Sequence, residues 1–282
     1  MDFSSLEIIE FINRSLKEDV GSGDHSSLAS IPSGTQGKAR LIFKEEGIAA
    51  GLELALQILL TVDPKLIVEF YKKDGDSVKY GDIGFHVYGS VHSILLAERL
   101  LLNCMQRLSG IATITNKIVN KIKDTNTKLL DTRKTTPGLR LLEKWAVTIG
   151  GGCNHRFGLY DMIMLKDNHV DYAGGITNGV NNTVAYLSKN GLNLKIEVET
   201  RNLEEVAEAL SLEAVDRIMF DNFSPELMKE AVKLVDGKKE TEASGGITIE
   251  NIRSYALTGV NYISVGALTH SVKSLDISLK EF

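Results

Sequence analysis

The sequence predicts an α/β protein. An N-terminal α+β, sandwich-like domain over residues 1–110 precedes an α/β barrel of parallel strands, complete or incomplete, over residues 111–282. Whether the last residues, "KSLDISLKEF", return to the N-terminal domain is left open by the sequence. Three observations predict this architecture. Before residue 110, helical patterns mix with short runs of alternating apolar and polar residues cut by Gly-Asp turns. Beyond it, apolar runs alternate with amphipathic helical patterns, the rhythm of a parallel sheet covered by helices. Polar residues also gather at the C-terminal end of each apolar run, where barrels build their sites.

Taken in order, "MDFSSLEIIEFINRSLKEDVG" reads as an amphipathic helix and lacks the basic start and apolar core of a signal peptide. "KARLIFKEEG" (38–47) is strand-like, and a helix is expected over 51–62. The apolar stretch 47–62 contains Glu53 and is too short to span a bilayer. "LIVEFYKKDGDSVKYGDIGFHVYGS" predicts short antiparallel strands. A buried helix should then run from Ser93 to Gly110 and carry Arg99, which by itself reads as a snorkelling surface arginine.

Six strands are expected next: 128–132, 162–167, 195–200, 217–222, 240–244 and 262–266. Between them, "NLEEVAEALSL" and "SPELMKEAVKLV" are helical, the second opened by Ser224 as N-cap and Pro225 in the first turn. With 282 residues, 43% hydrophobic and 24% charged, the chain has the composition of an ordinary globular protein, and its net charge of -5 excludes a general nucleic-acid binder. Two cysteines, Cys104 and Cys153, with no metal-ligand spacing, point to a reducing compartment, so a soluble cytoplasmic protein is expected.

The strand ends carry the chemistry. Arg133 and Lys134 follow the first; Lys166, Asp167, Asn168 and His169 close the second; Glu197 and Glu199 mark the third; Asp221 and Asn222 end the fourth. Between the first two lies "WAVTIGGGCNHRFGLYD", where Gly150, Gly151 and Gly152 permit close backbone approach ahead of Asn154, His155 and Arg156. Arg133, Lys134, His155, Arg156 and Lys166 would thus surround one mouth with cationic groups, so its ligand should carry several negative charges. Glu199 and Asp221 are acceptors suited to magnesium with its waters or to ribose hydroxyls. "ASGG" and "VGALTH" end the last two strands with small residues whose N–H groups suit a phosphate.

These stretches resemble a known family. "DTRKTTPGLRLLEKWAV", "GGGCNHRFGLYDMIMLKDNHV", "FDNFSPE", "EASGGI" and "ISVGALTHSVKSLDISL" are similar to the quinolinate phosphoribosyltransferases, over a span from Leu16 to Ser278; "GDHSSLASIP" near the start is a looser match. The resemblance implies transfer of phosphoribosyl from 5-phosphoribosyl 1-pyrophosphate (PRPP) to quinolinate with loss of carbon dioxide, a step of NAD biosynthesis, supported by Mg2+. It implies that Arg133, His155, Arg156 and Lys166 hold the dicarboxylate, with Arg99 reaching in from the partner of a homodimer or higher homo-oligomer. Lys134 and His270 would face phosphates, Ser244, Gly245 and Gly266 would seat phosphate oxygens, and Glu199 and Asp221 would meet ribose and metal, directly or through water. Lys134, Lys166, Glu199 and Asp221 are the implied catalytic set.

Other readings are weighed beside these. A Schiff-base aldolase would use Lys166; a related barrel phosphoribosyltransferase would act on another base; a non-enzymatic homologue would bind the phosphorylated sugar without turnover. His86 and His92 read as surface or core groups, His169 as a turn cap more readily than a catalyst, Cys153 as a small apolar filler and Trp145 as core. Glu197 and Glu199 share one strand face, and one of them is expected to be structural.

Overall fold

The structure is a computed structural model and describes Phe3 and residues 5–282. The chain divides into two compact units: Met1–Asn116 with Leu141–Gly151 and Val272–Phe282, and Lys117–Arg140 with Gly152–Ser271. Among the described residues, no helix is long and apolar enough to cross a membrane.

The first unit opens with helices α1 (Leu6–Val20) and α2 (His25–Ser30), the second capped by Asp24, whose carboxylate accepts the Ser27 N–H at 3.1 Å. Strands β1 (Gln36–Phe43) and β2 (Gly47–Ile48), helix α3 (Leu52–Val62), and strands β3 (Ile67–Phe70), β4 (Ser77–Val78) and β5 (Ile83–Ser90) follow. Strand β12 (Ile277–Glu281), the C-terminal strand of the chain, pairs antiparallel with β1, with Leu41 opposite Leu279, in a sheet ordered β12-β1-β5-β3. Alternation sets its inner face: Leu41, Phe43, Phe85 and Val87 are fully buried, whereas Lys38 and Lys280 are exposed. Burying each such apolar side chain is worth about 1.5–3 kcal/mol.

Helix α4 (Val91–Ile122) is longer than the span 93–110 read from the sequence. Gly110 suggests a stop, but its role is close packing: a Cβ there would overlap the Lys273 carbonyl oxygen and lie 3.0 Å from Val272. The helical pattern simply continues through "IATITNKIVNKI".

In the second unit, β6 (Lys128–Leu130) precedes helix α5 (Arg140–Ile149), most of which belongs to the first unit. Strand β7 (Ile163–Leu165), helices α6 (Asp167–Ala173) and α7 (Ile176–Asn190), β8 (Ile196–Thr200), α8 (Leu203–Ser211), β9 (Arg217–Asp221) and α9 (Pro225–Val235) follow. The unit closes with β10 (Glu240–Ser244), α10 (Ile252–Ala256), β11 (Tyr262–Ser264) and α11 (Ala267–His270). Its six strands are parallel and ordered β6-β11-β10-β9-β8-β7. Among the described residues the end strands β6 and β7 do not pair with each other; Leu130 of β6 instead bridges Cys153, in the segment before β7, so the barrel is incomplete at that seam.

The helices start where the sequence signals. Asn202 accepts the Glu205 N–H at 2.8 Å to cap α8, and Ser224 accepts the Leu227 N–H at 3.2 Å ahead of Pro225 in α9. All five residues of β8 are buried, including both glutamates, because helices cover one face and the barrel interior encloses the other.

Candidate active site

The strand ends surround a cavity of about 330 Å3. Arg133 and Lys134 reach it from beyond β6, His155 and Arg156 from the loop before β7, and Lys166 from beyond β7. Met164 and Met219 supply apolar wall, and Glu242, Ser244 and Ser264 line the remainder.

Buried hydrogen bonds hold the two arginine-bearing loops. The Asp131 carboxylate, fully buried, accepts the His155 N–H at 2.8 Å. Arg140 donates to the Thr135 hydroxyl at 3.1 Å, the Phe157 carbonyl at 3.1 Å and the Arg133 carbonyl at 3.4 Å, clasping one loop to the other. Asp161 accepts from Phe157 N at 2.7 Å and Gly158 N at 2.8 Å, tightening the turn after Arg156. The Arg156 guanidinium donates to the Met162 carbonyl at 3.1 Å. Burial, and next the charge of Arg133, draw its pKa below the usual guanidinium value. Arg133 keeps a buried Nε without a hydrogen-bond partner. Among the described residues neither arginine forms an ion pair with a carboxylate.

His155 stands over a buried ion network. Its Nδ1 lies 2.7 Å from the Arg156 backbone nitrogen, and its Nε2 faces Glu197 Oε2 at 3.1 Å and Glu242 Oε2 at 3.3 Å. Arg217 approaches Glu242 at 2.9 Å and Glu240 at 3.0 Å, with its guanidinium 4.1 Å from the centre of the Tyr262 ring. Burial opposes charge on His155, but hydrogen bonds to Glu197 and Glu242 outweigh it and raise its pKa to about 9. Burial, then the charge of Glu242, push Glu197 up to about 7. Glu242 is held below the ordinary carboxylate value because His155 and Arg217 together overcome its burial. At neutral pH the network therefore retains a proton between His155 and Glu197. His155, Glu197 and Glu242 offer ligand atoms within 4.8 Å of one another, as a metal site would. The Arg217 guanidinium already supplies the cation there, so we read the group as an ion network.

A second cluster carries the groups expected to meet the sugar and its phosphates. Lys166 Nζ donates to Glu199 Oε2 at 3.0 Å. Burial, then the charge of Glu199, raise the Asp221 pKa above the usual carboxylate value, so these two acids are electrostatic neighbours. Gly266 lies beside Lys134 and His270: a Cβ there would stand 2.9 Å from Lys134 Cδ and 3.2 Å from His270 Nε2. Thr269 Oγ1 donates to the Lys134 carbonyl at 2.8 Å. Gly245 and Gly246 take φ of 88° and 63°, a left-handed turn that glycine adopts without steric cost.

The structure thus brings Arg133, Lys134, His155, Arg156, Lys166 and Ser244 to one cavity, with Glu199 paired to Lys166 and Asp221 close to Glu199. Arg99 belongs to the other unit, exposed on α4. His169 Nδ1 accepts the Lys166 N–H at 3.0 Å and caps α6, as a turn cap would. Gly150 serves packing: a Cβ there would lie 2.5 Å from the Ala112 carbonyl oxygen, within the first unit. Trp145 is half-buried against Phe3, with ring centres 5.1 Å apart. Sequence reasoning gave no role to Asp131, Arg140, Arg217 or Glu242. Glu242 lies two residues before Ser244 on β10 and so shares its face, a signal that was available.

Fold and site together define a parallel α/β barrel protein whose strand ends gather Arg133, Lys134, His155, Arg156 and Lys166 around one cavity. The description "Quinolinate phosphoribosyl transferase, C-terminal domain" matches residues 111–280, and its N-terminal counterpart matches residues 24–109. A carboxylating, chloroplastic nicotinate-nucleotide pyrophosphorylase of Oryza sativa subsp. japonica is 49% identical over 284 residues, covering 95% of this chain and 76% of that protein. A mitochondrial quinolinate phosphoribosyltransferase (decarboxylating) 2 of Nicotiana glauca is 46% identical over 97% of this chain and 82% of its own. The solved nicotinate-nucleotide pyrophosphorylase of Francisella tularensis is 40% identical, with a TM-score of 0.92 over 98% of this chain and 96% of that one. This chain belongs to the quinolinate phosphoribosyltransferase family.

Proposed function

We propose that this protein transfers the phosphoribosyl group of PRPP to quinolinate with loss of the 2-carboxylate, giving nicotinate mononucleotide, pyrophosphate and carbon dioxide. The observation that carries this reading is the pair Arg133 and Arg156. Both are half-buried at one cavity, and each lacks a carboxylate partner among the described residues. Two half-buried like charges at one cavity favour an anion between them, and quinolinate brings two adjacent carboxylates. A guanidinium also grips a carboxylate through two parallel hydrogen bonds, which fixes the angle of the attached ring. Lys166 and His155 complete the quinolinate end in this reading. Arg99 is exposed on α4, as a group delivered to another subunit has to be. We assign it to the partner's cavity in a homodimer or larger homo-oligomer.

At the other end we assign Lys134 and His270 to the phosphates of PRPP, and Ser244, Gly245 and Gly266 to phosphate oxygens. Glu199 and Asp221 take the ribose hydroxyls and a divalent cation. Two neighbouring carboxylates are the hard oxygen donors that Mg2+ prefers, so the residues fit the metal, directly or through its waters. Bound there, Mg2+ would neutralise charge on the departing pyrophosphate. The protein's own groups then account for the order of events. Loss of pyrophosphate leaves positive charge on the anomeric carbon, which Glu199 and Asp221 stabilise electrostatically. The ring nitrogen of quinolinate, held by the arginines, attacks that carbon. Only then does the 2-carboxylate leave as carbon dioxide: the electron pair of the broken bond stays on the ring carbon beside a nitrogen that ribosylation has made cationic, and that carbon takes up a proton from solvent. Fixing the two substrates in one geometry can remove roughly 7–11 kcal/mol of the bimolecular barrier. Neither Cys104 nor Cys153 is paired in a disulfide, which suits the reducing cytoplasm we infer as the setting.

A Schiff-base aldolase leaves Arg133 and Arg156 without work and finds Lys166 already committed to Glu199. Calorimetric titration of quinolinate into the wild-type protein and into Arg133→Ala and Arg156→Ala tests the assignment. Quinolinate affinity should fall by at least about tenfold in each variant, as expected when a charged hydrogen-bonding partner is removed. Intact quinolinate affinity with loss confined to PRPP binding would overturn it.

A further inference from the structure

We infer that Asn222 is a positioning residue for the phosphoribosyl donor, a role the residue assignments above do not give it. The inference rests on the phosphoribosyltransferase reading and deepens it at the donor end. Asn222 follows β9 with φ 57°, and Asp236 with φ 52° is the other non-glycine residue at positive φ among the described residues. Asp236 is the C-cap of α9, where that conformation is ordinary. Asn222 caps no helix, so its left-handed backbone needs another cause. Asparagine is among the side chains that tolerate this region best.

Three contacts supply the cause. The Asn222 carboxamide Nδ2 donates to Asp221 Oδ2 at 2.7 Å. Its backbone N–H donates to the Ser244 carbonyl at 2.9 Å, extending the ladder in which Asp221 stands opposite Ser244. Its side chain lies on Gly245: a Cβ added to that glycine would overlap Oδ1 and sit 2.6 Å from Cγ and 2.8 Å from the Asn222 nitrogen. One residue thereby fixes an acid assigned to the ribose and metal and two residues assigned to phosphate oxygens. The turn at positive φ is what lets the carboxamide fold back onto its own neighbour. Holding Oδ2 of Asp221 orients the other oxygen, Oδ1, for the donor. The carboxamide is suited to this, since a donor is required toward Asp221 and a carboxylate in its place would repel it.

Three variants separate backbone from side chain. Asn222→Gly keeps the left-handed turn and removes the carboxamide; Asn222→Asp keeps the shape and replaces the donor by an acceptor; Asn222→Ala loses both. Each is titrated calorimetrically with PRPP in the presence of Mg2+ and, separately, with quinolinate, and its urea midpoint is measured. For Asn222→Gly, PRPP affinity should fall about tenfold, the loss of one hydrogen bond to a charged group, while quinolinate affinity and the urea midpoint stay at wild-type values. Asn222→Asp should bind PRPP more weakly still. PRPP affinity unchanged in Asn222→Gly, or PRPP and quinolinate affinities falling together, would overturn the inference. Because donor and acceptor are titrated separately, wild-type protein that bound PRPP but not quinolinate would count against the proposed reaction alone, and the donor titrations would still decide the role of Asn222.

Discussion

Replacing Arg217 by methionine should destabilise the second unit strongly at alkaline pH and weakly at acid pH. The guanidinium makes bonds of 2.9 Å to Glu242 and 3.0 and 3.2 Å to Glu240, and it covers the Tyr262 ring at 4.1 Å. Methionine fills much of the same volume, so the packing loss is small. The loss of the cation–π contact costs about 0.5–1 kcal/mol. The larger effect is electrostatic: Glu197 and Glu242 are fully buried, and removing one partner from a buried ion pair costs about 3–5 kcal/mol. The sum is about 3.5–6 kcal/mol when both glutamates are ionised. The sign of the pH dependence follows from linkage. Glu197 already has a folded pKa of about 7, above its ordinary 4.5, so the folded protein holds a proton that the unfolded chain has released, and stability falls as pH rises between those values. Without Arg217 the Glu242 pKa must rise as well, which adds a second group to that window. Urea unfolding of wild type and variant followed by circular dichroism at pH 5 and pH 8 measures the difference. The penalty should be largest at pH 8 and mostly relieved at pH 5. A penalty independent of pH would refute the claim that unpaired buried carboxylates cause it.

Other outcomes follow from single contacts. Gly245→Ala places a Cβ against Asn222 at φ 88°, whereas Gly246→Ala meets nothing within 4 Å at φ 63°. Both should pay the left-handed penalty of about 1–2 kcal/mol, and only the first an added overpacking cost of about 1–3 kcal/mol, read as a lower urea midpoint. Ser224→Ala removes the cap of α9 and should cost about 1 kcal/mol in the same measurement. Phe220→Ala deletes a fully buried ring stacked on Phe223 with centres 5.4 Å apart; a loss of about 3–5 kcal/mol is expected in thermal or chemical unfolding.

The six parallel strands were legible because each is a short apolar run followed by polar residues, although several are shorter in the structure than the runs suggest. Strand β7 covers Ile163–Leu165 within the run 162–167, because Lys166 already turns to cap α6. The convergence of Arg133, Lys134, His155, Arg156 and Lys166 was equally legible, since parallel strands bring their C-terminal ends to one rim. Helix α4 was misjudged at Gly110, where a residue that often ends helices instead admits a neighbouring backbone. The network under His155 was illegible for a different reason. Charged residues inside buried strands pair across registers, Glu197 opposite Arg217 and Arg217 opposite Glu240, and a register exists only once the strands are aligned. Asn222 shows the same limit, because its left-handed turn leaves no mark on the apolar pattern.

The most direct measurement follows labelled carbon dioxide from quinolinate carrying the label in its 2-carboxylate. With PRPP and Mg2+, the protein should release label in step with nicotinate mononucleotide, and with PRPP omitted it should release none. Label released without PRPP, or no label with every component present, would contradict the account.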